Sequence, residues 1–202
     1  MHRSNRFALL FRDLWINGLA AWPVWPGNIR RRLYRLYGMD IETGGVSPGC
    51  FFGSPRVRIG QRTTVNYDCF FDSLGMIEIG RDCAIGMQVM FCTSTHDLDN
   101  ATRRAGPSKG VPIVVGDGCW IGARVTVLPG VTIEQGCVVA AGAVVAKRCQ
   151  AHGLYAGIPA VRVRELPTHS LSEVPGARAH AIRNVDLEPA DPVIESRQCD
   201  TR

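Results

Sequence analysis

The chain has 202 residues, 46% hydrophobic and 20% charged, a length and balance suited to one compact unit with appendages. Its net charge of +5 comes from dispersed rather than striped basic residues, which argues against a nucleic-acid binder. A surface of that sign also suits the attraction of a polyanionic cosubstrate.

Phe7, Leu10, Phe11, Leu14 and Trp15 recur at helical spacing and predict a first helix ending near Gly18. Arg12, Asp13 and Asn17 interrupt the apolar residues of this stretch, so it reads as neither a membrane span nor an ordinary signal peptide. A cytoplasmic location is expected. A second helix is predicted from Asn28 to Gly38, with Ile29, Leu33, Leu36 and Tyr37 on its inner side. Arg30, Arg31, Arg32 and Arg35 fall on the other side. Such a face suits anionic lipid or an acidic partner; the simpler reading, taken here, is a solvated surface. Residues 1–40 are expected to cap strand edges that would otherwise be open.

A six-residue period then takes over. Aliphatic residues fall at Val115, Ile121, Val127, Ile133, Val139 and Val145, and compact ones at Cys119, Val125, Val131, Cys137, Ala143 and Cys149. Upstream, Ile79, Ile85 and Phe91 pair with Cys83, Val89 and Thr95, and Ile59, Val65 and Phe71 with Thr63 and Cys69. Neither a helix nor a plain strand has this period; a parallel β-helix does, with the aliphatic side chains stacked inside. The fold class is therefore an all-β solenoid over residues 41–166, with roughly five coils on residues 59–151 and a wider corner from Ser73 to Met76. Five cysteines (Cys69, Cys83, Cys119, Cys137 and Cys149) occupy compact inward positions, where Cys behaves as a small apolar residue. The absence of a CxxC pair argues against a zinc cluster.

The hexads lapse between Phe91 and Val115, where residues 97–112 form a polar excursion loop. A loop of this length in a solenoid marks function or disorder. His96 stands at its root. After residue 151 the hexads end, Tyr155 to Ala160 reads as a turn, and Val161, Val163 and Leu166 mark a short closing segment. Residues 167–202 are expected to be a mostly disordered tail.

The runs Ser94 to Leu98, Val115 to Gly122, Leu128 to Ile133, Ala141 to Ala143 with Lys147, and Ala156 to Pro159 resemble the hexapeptide-repeat acyltransferases. They are most similar to the maltose and galactoside O-acetyltransferase branch. The resemblance covers about residues 57–166 and implies a left-handed coil, a homotrimer with active sites between subunits, and acetyl-CoA as acyl donor. It casts His96 as the general base that takes a proton from an acceptor hydroxyl, a task suited to imidazole. Asn66 matches a position contacting that hydroxyl, Asp72 is a candidate for a second hydroxyl, and Trp120 matches a tryptophan beside the site. Backbone groups at Gly122, Ala123 and Ala141 are expected along the pantetheine arm. Lys147, Arg162 and Arg164 are expected near the phosphates. Ala123 and Ala146 stand where the family often has Ser and Thr, and Asp97 where the closest branch has proline. The acceptor pocket is therefore expected to have diverged, and no metal is expected.

The residues leave alternatives open. N-acylation of an amino sugar and a non-catalytic β-helix binding subunit remain. A zinc carbonic anhydrase on the same scaffold needs three histidine ligands, and only His96 and His152 lie in the coils.

Overall fold

The computed structural model describes residues 6–168. The expectation of a disordered tail lies outside them from residue 169 onward.

The polypeptide winds as a three-sided parallel β-helix. Its first coil is β1 (Asp40–Ile41), β2 (Gly44–Val46) and β3 (Phe51–Phe52), and the second is β4 (Val57–Ile59), β5 (Thr63–Val65) and β6 (Phe70–Asp72). The third is β7 (Ile77–Ile79), β8 (Ala84–Ile85) and β9 (Met90–Cys92). A hairpin follows, β10 (Ser94–His96) with β11 (Ser108–Gly110). The fourth coil is β12 (Ile113–Val115), β13 (Trp120–Ile121) and β14 (Thr126–Val127), and the fifth is β15 (Thr132–Ile133), β16 (Val138–Val139) and β17 (Val144–Val145). An incomplete last turn supplies β18 (Gly153–Ala156), which pairs antiparallel with β19 (Val161–Glu165). Sheet A stacks β1, β4, β7, β12 and β15; sheet C stacks β3, β6, β9, β14 and β17. Sheet B stacks β2, β5, β8, β13, β16 and β18, with β19 at its edge.

There are five complete coils, yet they begin at Asp40 rather than at residue 59. Gly44, Gly45, Pro48 and Gly49 disturb the hexad signal in the first coil, although Ile41, Val46, Cys50 and Phe52 still point inward. Thr95 is a correction. The hexad spacing points it inward, but it lies in the hairpin opposite Lys109, and in this segment Thr93 is the buried threonine. The remaining assigned positions are all buried.

Corners impose their own demand. The residue before the compact inward position adopts positive φ at Gly118 (67°) and Gly136 (65°), but also at Arg62 (57°) and Asp82 (57°). A left-handed non-glycine residue is strained. The strain is tolerated because the flanking side chains are locked in the core. Cysteines finish the same corners: the thiols of Cys83, Cys119 and Cys137 donate to the carbonyls of Gly116, Glu134 and Gln150, each at 3.1 Å. Buried carbonyls need such partners. Contacts with Cys137 and Cys83, together with burial, raise the Cys119 thiol, and burial pushes Cys149 up to about 12. These thiols are structural groups.

The amino-terminal cap comprises α1 (Arg6–Phe11), a π-helical segment (Arg12–Ala20) and α2 (Gly27–Leu36). Its helices form where expected, but α2 is rotated. Tyr34 and Arg30 are buried, whereas Leu36 is exposed. Two tertiary contacts override the apolar pattern. The Tyr34 ring lies 4.9 Å from Phe52, which continues through Phe71 (4.7 Å) to Phe91 (5.1 Å), so the helix extends an aromatic column inside the tube. Arg30 donates to the carbonyls of Ala20, Val46, Trp22 and Trp25 at 2.8–3.1 Å, which compensates its burial. In the first helical stretch Ile16 and Ala20 are buried, while Leu10, Phe11 and Leu14 face outward.

Candidate functional site

The hairpin that carries His96 leaves the tube between sheets C and A. Its neck is held by several local contacts. The Ser94 amide donates to the Asp72 carboxylate at 2.9 Å, and the Val111 amide donates to the Thr93 carbonyl at 2.8 Å. The Thr93 hydroxyl accepts from the Gly75 amide at 3.0 Å and donates to the Asp72 carbonyl. Gly110 is required by close approach: a Cβ there would sit 2.5 Å from the Gly75 nitrogen. Asp97, the residue that departs from the family proline, pairs with Lys109 across the neck, and its carbonyl accepts from the Gly106 amide at 3.0 Å.

His96 is exposed, and its Nδ1 lies 2.8 Å from the carbonyl oxygen of Gly106. A carbonyl only accepts, so in the neutral ring Nδ1 carries the hydrogen and Nε2 keeps its lone pair. The ring is thus oriented by its own loop with a proton-accepting nitrogen available.

Asn66 and Trp120 lie elsewhere. They line a groove of about 580 Å³ on the outer face of sheet B, walled on one side by Trp25 and Pro23 of the cap and on the other by Thr64, Tyr67 and Gly86. The Asn66 side-chain oxygen accepts from the Tyr67 amide at 2.8 Å, which leaves its NH₂ free to donate. Trp120 is an exposed aromatic wall. Asn66 also belongs to a column of corner positions that runs coil by coil from Ser47 through Gly86, Gly122 and Ala140. Within that column Gly122 could not carry a side chain, because a Cβ would meet the Ala141 nitrogen at 2.6 Å. The amides of Ala123 and Ala141 donate to no group among the described residues. The result is a smooth edge with amides open at intervals of about 4.8 Å, the coil spacing.

Within one chain, therefore, the expected site residues form separate groups. Asn66, Gly122, Ala123 and Ala141 share the corner between sheets B and C, with Trp120 on the adjacent face. Asp72 and His96 share the corner between C and A, a full strand of sheet C away. Asp72 directs one carboxylate oxygen to the hairpin root, a positioning role the sequence did not suggest. Two of the three expected cations, Arg162 and Arg164, share strand β19. Lys147 is exposed after β17, Arg164 is exposed on β19, and Arg162 bonds to the Ala151 carbonyl at 2.9 Å and to Glu165 at 2.9 Å. No group of three metal-ligating side chains occurs among the described residues. Sequence reading missed the Gly106 carbonyl, because a backbone group ten residues from its partner leaves no signature, and it missed Trp25, which only the folded cap brings to sheet B.

Comparison with known proteins agrees with this architecture. The bacterial transferase hexapeptide (six repeats) pattern matches residues 112–147. A Schizosaccharomyces pombe protein provisionally named an acetyltransferase is 43% identical over 110 residues, 54% of this chain and 53% of its own. The chain thus spans only about half the length of that curated relative. The Escherichia coli galactoside O-acetyltransferase is 29% identical over 145 residues, covering 70% and 71% of the two chains. The crystal structure of a hexapeptide-repeat-containing acetyltransferase from Vibrio cholerae, complexed with acetyl coenzyme A, superposes with a TM-score of 0.70 at 30% identity. That match covers 82% of this chain and 91% of the other. In fold, repeat and sequence, the chain belongs to the hexapeptide-repeat acetyltransferase family.

Proposed function

We propose that this protein moves an acetyl group from acetyl-CoA to a hydroxyl of a sugar or glycosylated metabolite. The observation that carries the reading is the His96 imidazole held through Nδ1 by the Gly106 carbonyl. That bond fixes the tautomer a general base needs. Nε2 takes the acceptor proton as the hydroxyl oxygen attacks the thioester carbonyl. The tetrahedral intermediate then expels the coenzyme A thiolate, which regains the proton from the imidazolium, so no acyl-enzyme is required. The acetyl coenzyme A bound to the Vibrio cholerae relative supports the donor. The smooth edge at Gly122, Ala123 and Ala141 fits an extended pantetheine arm. Asn66 and Trp120 would orient the acceptor.

The separation of His96 from Asn66 supports a homotrimer, in which one copy's hairpin meets the neighbour's groove. Outer-face apolar residues along sheet C, Phe70 and Met90 among them, offer a surface for that contact.

Free-thiol release from acetyl-CoA with a panel of sugars and amino sugars tests the reading. Turnover with the best acceptor should fall by about two to four orders of magnitude in His96→Ala. Near-normal turnover in the variant would overturn the reading. Preference for an amine acceptor would make the enzyme an N-acetyltransferase, and a monomeric mass by light scattering would remove the shared site.

A further inference from the structure

We propose that the amino-terminal cap docks this protein on an anionic phospholipid surface, with Leu10, Phe11 and Leu14 as the inserting residues and Arg32 and Arg35 as the electrostatic contact. The proposal does not rest on the acyl-transfer reading.

The cap has spent its inward face already. Tyr34 closes the aromatic column, Arg30 binds carbonyls, and Ile16 and Ala20 seal the junction. The residues left outside are not those of an ordinary solvated helix. Leu10 is 56% exposed, Leu14 66% and Leu36 78%. Leu10 and Leu14 share a surface with Phe11, whose ring stacks on Trp15 at 5.9 Å and lies 6.3 Å from Tyr37 at the end of α2. Leu10, Phe11, Leu14, Trp15 and Leu19 together line a shallow apolar hollow of about 570 Å³. A patch of several exposed large apolar side chains calls for an occupant.

Charge selects the occupant. The first 39 residues carry seven arginines and one acid, Asp13, while the rest of the chain has slightly more acids than bases. Asp13 is bound to Arg12 at 2.7 Å, so this region offers no uncompensated acid. Arg32 and Arg35 are exposed on α2, and Arg32 lies one turn before the exposed Leu36. A second copy docking face to face would set arginine against arginine. Apolar side chains beside a one-sign arginine cluster are instead the composition of a helix lying in a lipid interface. No helix among the described residues is long and apolar enough to cross a membrane, so the contact proposed is peripheral.

The full-length protein should float with vesicles of phosphatidylcholine mixed with phosphatidylglycerol and not with phosphatidylcholine alone. Each arginine near an anionic surface contributes roughly five-fold in affinity, so Arg32→Glu with Arg35→Glu should weaken binding by about 25-fold or more. Leu10→Ser with Leu14→Ser should also release the protein. Both double variants should keep the parent's assembly mass and thiol-release rate, since these residues lie outside the hairpin and groove. Equal binding to both vesicles, or none, would overturn the proposal. So would leucine variants that change the assembly mass but not vesicle binding, which would assign the face to a second copy.

Discussion

The tube and the hairpin are built on opposite principles. In the tube every coil repeats a register, each inward side chain lies against its equivalents above and below, and Phe52, Phe71 and Phe91 stack as one column. In the hairpin there are three paired positions, none of its strand residues is buried, and a few hydrogen bonds and one ion pair hold the neck. Stability is redundant in the first and scarce in the second. A rigid repeat can support a loosely packed segment without that segment contributing to the core, which frees the hairpin to carry chemistry.

Phe71→Ala should break the comparison on the stability side. Its ring has stacked neighbours on both sides, and a chemical denaturation series should show a loss of about 3–5 kcal/mol. A loss under about 1 kcal/mol would mean that the column collapses to fill the gap.

Replacing residues 98–105 with a short turn should do the reverse. The unfolding midpoint should stay near that of the parent, because no residue removed is buried, while turnover should fall by about two orders of magnitude as His96 loses its orientation. A midpoint that dropped as far as in Phe71→Ala would show the loop to be part of the core.

Gly106→Ala sharpens the same point. An added Cβ would sit 2.7 Å from the Asp97 carbonyl oxygen, so the chain that holds His96 must shift. Turnover should fall about ten-fold, within the range that slight misplacement of a reacting group produces. Unaltered kinetics would remove the Gly106 carbonyl from the mechanism.

The smallest effect expected is a gain. The Tyr34 hydroxyl is buried without a hydrogen-bond partner among the described residues, and burial raises its pKa. Tyr34→Phe should therefore stabilise the protein by about 1 kcal/mol and keep the ring contact with Phe52. Destabilisation in a urea titration would show that the hydroxyl is satisfied in solution.

Much of the site was legible because particular residues stood out against a regular background. His96 was noticeable as a histidine at the point where hexads stop, and Asn66 as a polar residue directly after the inward Val65. What could not be read was where each would lie relative to the other. Spacing along the chain does not report which corner of a three-sided coil a residue occupies once a hairpin of unknown length intervenes. The rotation of α2 was hidden for a similar reason. Its apolar pattern favours Leu36 as an inner residue, but the Tyr34 contact with Phe52 and the four carbonyls bound by Arg30 outweigh it.

The sequence by itself determined the solenoid from Ile59 onward, its inward residues and the break at the hairpin, because a six-residue hydrophobic period has one compact solution. Tertiary structure alone decided the first coil, the roles of Arg30 and Tyr34, the tautomer of His96 and the separation of the expected site into distinct corners. Those depend on backbone carbonyls and on contacts between distant segments, which carry no pattern in the amino-acid order.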